Sequence, residues 1–180
     1  MHSLNRRGLS VRLTLFPLFL AALIAAGPVL ADDSIGSKHE WTATGFDGAE
    51  IVYPAALDGK PTVLVFWATW CPYCRALMPY LGDIQNDYGG DKINILTVNV
   101  FEDGELDPAE HIAELGFPMI AVANGDPVAE QYSVQFTPGL MIVDGQGTLV
   151  WKRESTDLPP GQTVAEFWSK QVREQLDKLL

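Results

Sequence analysis

Histidine and cysteine are scarce in this 180-residue chain, which has three of the first and two of the second. His2 stands in the N-terminal segment, and neither His39 nor His111 is spaced so as to join the cysteines. A four-ligand zinc site is therefore not expected, and the metal content is read as none. Basic residues are also few, with 12 Lys and Arg against 23 Asp and Glu and a formal net charge of −11. Such a surface repels nucleic acid and anionic lipid headgroups. There is no tandem repeat or low-complexity tract, which excludes a solenoid. The acids Glu102, Asp103, Glu105 and Asp107 lack the register of a calcium loop and read as a solvated segment, as His111 reads as a solvated helix residue.

No apolar run reaches the roughly 20 residues of a membrane-spanning helix. The longest, Leu13 to Ala26, follows Arg6, Arg7 and Arg12 and precedes Gly27-Pro28 and Val29-Leu30-Ala31. A basic start, a short apolar stretch and small residues before Asp32 make residues 1–31 a secretory signal peptide, the alternative being an uncleaved anchor in the inner membrane. Residues 32–180 then form one exported domain, whose charge falls to −14 with those three arginines gone. Its expected location is the periplasm, where disulfides persist.

What is present is a sharp junction. The apolar, β-branched run from Thr62 to Ala68 leads through Thr69-Trp70 into Cys71-Pro72-Tyr73-Cys74, and a helical pattern with Leu77, Tyr80, Leu81 and Ile84 on one face follows to Tyr88. Near-continuous apolar character suits a strand covered on both faces. A cysteine at the start of a helix meets unpaired backbone N–H groups and the positive end of the helix dipole, which favour its thiolate. Cys74, one turn on, faces the same side and lies within reach of a mixed disulfide formed at Cys71. Pro79 inside the helical pattern predicts a bend.

Around this junction the remaining elements alternate. Trp41–Thr44 and Glu50–Tyr53 flank Asp47-Gly48 as a hairpin. Ile93–Val100 and Phe117–Val122 read as strands, while Asp107-Pro108 and Asp126-Pro127 open helices. Gly139–Val143, the turn Asp144–Gly147 and Thr148–Trp151 form a closing hairpin, and Thr163-Val164-Ala165-Glu166 is a capping box for a last helix. The fold class is α/β, a mixed central sheet flanked by helices with an N-terminal β-hairpin extension.

Trp67-Ala68-Thr69-Trp70-Cys71-Pro72-Tyr73-Cys74 together with the distant Thr137-Pro138 resembles the thioredoxin superfamily. Leu57-x-Gly59-Lys60, Pro79, Tyr132-x-Val134-x-x-Thr137-Pro138 and Asp144-x-x-Gly147 are similar to the TlpA/ResA/DsbE group of periplasmic thioredoxin-like proteins. The resemblance implies a thioredoxin fold and a thiol–disulfide oxidoreductase. In it Cys71 is the attacking thiolate, Cys74 the resolving thiol, and the Cys71–Cys74 disulfide the only redox group. Trp70, Pro72 and Tyr73 tune and cover the site. A cis bond before Pro138 turns the Thr137 backbone toward a docked substrate strand. Protein disulfides and thiols are the implied substrates and a membrane electron donor of DsbD or CcdA type the implied partner, with the protein a monomer. Two alternatives stay open: a Cu(I)-binding thioredoxin-like metallochaperone, since two soft thiolates suffice for Cu(I), and a net disulfide oxidase or isomerase.

Two positions depart from the pattern. Thioredoxins commonly place a buried acid six residues before the first cysteine, and some reductive relatives a glutamate six after it; here these are Val65 and Leu77. The Pro-Tyr dipeptide is typical of glutaredoxins, whose potentials lie at about −200 to −230 mV.

Overall fold

The computed structural model describes residues 33–154, 158 and 160–180, so the expected signal peptide lies outside the described residues. Seven strands form one sheet in the order β2-β1-β5-β4-β3-β6-β7. The hairpin β1 (Trp41–Gly45) and β2 (Glu50–Tyr53) joins the sheet by antiparallel pairing of β1 with β5 (Ile120–Ala123). The centre is β3 (Thr62–Trp67), with parallel β4 (Asn94–Asn99) on one side and antiparallel β6 (Gly139–Val143) on the other; β7 (Leu149–Lys152) closes the far edge. The sheet is mixed, as the alternation of elements predicts.

Every residue of β3 is buried, and its side chains divide between two cores. Val63, Val65 and Trp67 enter one with α1 (Pro72–Tyr88) and α4 (Val164–Leu176), while Leu64 and Phe66 enter the other with Tyr53, Leu57, Val128 and Tyr132. This two-residue period on a strand apolar at every position is the mark of a sheet covered on both faces. The α1 helix continues through the exposed Pro79. Asp107 caps α2 (Pro108–Leu115) through its side chain, α3 spans Asp126–Gln131, and the Thr163–Glu166 capping box of α4 is formed in both directions. The strands expected at 93–100 and 117–122 are shorter than their apolar runs, because Ile93, Val100 and Phe117 pack as flanking loop residues. No helix among the described residues is long and apolar enough to cross a membrane.

Register fixes the site. Trp67 lies opposite Asn99 in the parallel pair, and Phe66 opposite Gly139 in the antiparallel pair. The loops after β3 and β4 and the segment before β6 therefore meet at one end of the sheet. At Gly139 a Cβ would sit 3.2 Å from the Cβ of Phe66 and 3.1 Å from Val134, so the chain enters β6 tightly against β3.

Candidate active site

Cys71 is the N-cap of α1, with extended backbone, and its Sγ accepts the N–H of Cys74 at 3.1 Å. Pro72 takes the first helical position, where a missing N–H is harmless and the fixed φ suits a helix start. Cys71 and Cys74 are joined by a disulfide with 5.3 Å between their Cα atoms. Both are nearly closed off, 2% and 1% exposed, and belong to the core that holds Val65, Leu77 and Trp168. Val65 and Leu77 are fully buried, so neither position brings an acid to the sulfurs.

Exposed aromatic side chains lie around this closed pair. Trp70 is 45% exposed and its indole N–H donates to the Phe101 carbonyl at 2.8 Å; Tyr73 is 55% exposed. Trp67, by contrast, is fully buried core. The Thr137–Pro138 bond is cis, as the resemblance implies, and the β3–β6 register sets Pro138 beside the end of β3. Thr137 Oγ1 is buried with no hydrogen-bond partner among the described residues, and the Thr137 main-chain N–H and C=O pair with no backbone group among them. The expected site residues Trp70 to Cys74 and Thr137-Pro138 thus fall at one end of the sheet.

Two residues read from the sequence as solvated are engaged. Glu102 accepts the Thr69 N–H at 2.7 Å, the Thr69 hydroxyl at 2.5 Å and the Asn99 side-chain amide at 2.6 Å. It fastens the loop that carries Trp70 and Cys71, because the parallel register delivers residues 100–102 alongside residues 68–70. His111 is half-buried, with its ring 5.3 Å from that of Trp67 and Nε2 buried without a partner among the described residues. Its helix packs toward α1, which turns this face inward.

Tyr73, an expected site residue, joins a second group whose other members had no sequence signal. Tyr73 stands edge-on to Trp168 of α4, with ring centroids 6.2 Å apart. The Arg153 guanidinium lies 4.4 Å from the Trp168 ring centre and 5.3 Å from that of Phe136, and its Nη2 donates to the Pro138 carbonyl at 2.7 Å. Burial draws the Arg153 pKa below its ordinary value, yet an arginine remains charged at any physiological pH. Phe136 is 61% exposed. These residues come from four separate segments, and only the packing of α4 against α1 and the β6–β7 edge unites them.

A vicinal cysteine pair at a helix start, with one sulfur receiving a backbone N–H, supports thiol–disulfide exchange. Known proteins agree with that chemistry. The chain is 27% identical to a protein named thiol:disulfide interchange protein DsbE from Tatumella citrea, over 94% of each chain. It is 31% identical to the DsbE of Escherichia coli strain K12, over 65% of this chain and 63% of that one. It is 35% identical to the thiol-disulfide oxidoreductase ResA of Oceanobacillus iheyensis, over 52% and 48%. Among solved structures, a putative DsbE from Chlorobium tepidum superposes with a TM-score of 0.64 at 20% identity, covering 81% of this chain and 99% of that one. The fold is thus that of thioredoxin-like proteins. The model of the AhpC/TSA family matches residues 37–152, which take in the whole sheet from β1 to β7 and the cysteine pair, and the chain belongs to that family.

Proposed function

We propose that this thiol–disulfide oxidoreductase works in the periplasm as a reductant of protein disulfides. The observation that carries the reading is the setting of Cys71: a helix-capping sulfur that receives one backbone N–H, from Cys74. In the reduced protein that N–H and the helix dipole hold negative charge on Cys71, which makes it the nucleophile. No basic side chain hydrogen-bonds either sulfur among the described residues. A dithiol whose thiolate is not over-stabilised by a neighbouring cation remains a willing electron donor.

Exchange proceeds in two displacements. The Cys71 thiolate attacks one sulfur of the substrate disulfide, forming a mixed disulfide and expelling a substrate thiolate that takes up a proton. The Cys74 sulfur, having given up its proton, then attacks Cys71 Sγ and expels the second substrate thiolate. The substrate gains two electrons and two protons, and the protein is left as the Cys71–Cys74 disulfide. A membrane electron donor of DsbD or CcdA type would return the two electrons. The main-chain groups of Thr137, unpaired among the described residues, offer an extended substrate a place to add as a strand, beside the apolar faces of Trp70 and Phe136.

The test of direction is the equilibrium reduction potential of the pair, titrated against a thiol buffer and followed by tryptophan fluorescence. The proposal expects a value at or below about −230 mV. A value above about −180 mV would make the protein a net oxidase or isomerase instead.

A further inference from the structure

We propose that Arg153 forms a subsite for a carboxylate carried by the substrate polypeptide close to its reacting cysteine. The inference rests on thiol–disulfide exchange at Cys71 and adds to it a preference for one class of substrate.

Arg153 follows the end of β7 and lines a cleft of about 320 Å³ that reaches Phe136, Gly139 and Leu140, next to the Thr137–Pro138 segment. The guanidinium carbon lies over the Trp168 ring at 4.4 Å and over the Phe136 ring at 5.3 Å from their centres, and one of its nitrogens is anchored on the Pro138 carbonyl. The two ring contacts and that anchor hold the guanidinium in place, so less freedom is left to lose when a carboxylate arrives. Among the described residues no carboxylate lies within ion-pairing distance of it, and Nε is buried without a partner. The other cation of the cleft, Lys152, is already paired with Asp33 at 2.7 Å, and Glu154, also in the cleft wall, is not paired with Arg153. Among the described residues this arginine has no acid partner, on a chain with 23 acidic residues to 12 basic ones. Planar bidentate recognition of a carboxylate is what such a fork does best.

The rest of the molecule argues the other way, which makes the proposal testable. A net charge of −11 repels acidic peptides at long range. At about 0.15 M salt that repulsion is screened beyond about 8 Å, whereas a contact at Arg153 is not. Two peptides differing only in glutamate or glutamine on both sides of a single cysteine, each as a mixed disulfide with 2-mercaptoethanol, are reduced by the dithiol form of the protein. Each protein molecule reacts once, yielding peptide thiol, mercaptoethanol and the Cys71–Cys74 disulfide. The expected result is a second-order rate constant for this single-turnover reduction roughly tenfold higher for the glutamate peptide, a ratio that falls to one or below in Arg153→Met and is partly restored in Arg153→Lys. Because the readout is a ratio within each variant, loss of folded protein does not imitate it. Equal rates with the unsubstituted protein, a preference for the glutamine peptide, or a glutamate preference that survives Arg153→Met would each overturn the subsite. A uniform slowing of both peptides in Arg153→Met would assign Arg153 to bracing Pro138 alone and overturn it too. Reduction of neither peptide by the unsubstituted protein would instead remove the oxidoreductase reading, and the subsite with it.

Discussion

The carboxylate of Glu102 grips Thr69 twice, through the backbone N–H at 2.7 Å and the hydroxyl at 2.5 Å, two residues before Cys71. Thr69 is buried, so the grip satisfies donors that water does not reach. Removing it in Glu102→Ala leaves the Thr69 N–H and hydroxyl and the Asn99 amide without that acceptor. The expected loss of stability is about 1–3 kcal/mol, read as a lower denaturant midpoint. Glu102→Gln keeps one acceptor and is expected to recover part of it. Exchange of the Thr69 and Trp70 amides with deuterium should quicken in Glu102→Ala, and unchanged exchange would show that the loop stands without its clasp.

Val65 occupies the place where many thioredoxins bury an acid, and it is fully buried within the same core as both cysteines. Val65→Asp should lower stability by several kcal/mol, because this site holds no prepared partner for a charge. The pH dependence identifies the cause. Burial raises the folded-state pKa of the new carboxyl above its unfolded value near 3.9. The unfolded chain then ionises first, and the variant loses stability relative to the parent as pH rises from about 4 until the folded-state group ionises. A penalty independent of pH would point to shape alone.

Asp144 holds the β6–β7 turn by accepting the N–H groups of Gln146 at 2.9 Å and Thr148 at 2.8 Å, while Gly147 takes the positive φ of 78° that the turn requires. Partial burial works to raise its pKa, but those hydrogen bonds, with Lys38 nearby, outweigh it and leave the pKa below the ordinary carboxylate value. A depressed folded-state pKa adds stability that is present above the unfolded value near 3.9 and is lost as pH falls through the folded value. Chemical denaturation from pH 6 down to about pH 3 should therefore show a steeper acid loss in the parent than in Asp144→Asn.

Much of this was legible in the sequence because it is local. The strand that ends at Cys71, the helix that begins at Pro72, the Asp107 cap, the Thr163–Glu166 box and the Asp144 turn each depend on residues within a few positions of one another. Glu102 was hidden in a run of acids, since only the in-register pairing of Trp67 with Asn99 reveals that its loop borders Thr69. The nearest signal was Asn99, a polar residue ending an apolar strand. Arg153, Trp168 and Phe136 gave less still: they lie in three segments joined by helix packing, and each alone reads as an ordinary charged or apolar residue. Strand ends shifted for a related reason, since apolar runs mark burial and Ile93 and Val100 are buried outside the ladder.

The most direct test of the central claim is to trap the exchange intermediate. Cys74→Ser, reduced and mixed with a peptide disulfide, should accumulate a covalent adduct that mass spectrometry of proteolytic fragments places on Cys71. Cys71→Ser should form none and reduce no insulin disulfide. An adduct on Cys74 in Cys71→Ser together with undiminished insulin reduction would contradict the account, because the helix-capping sulfur would then not be the nucleophile.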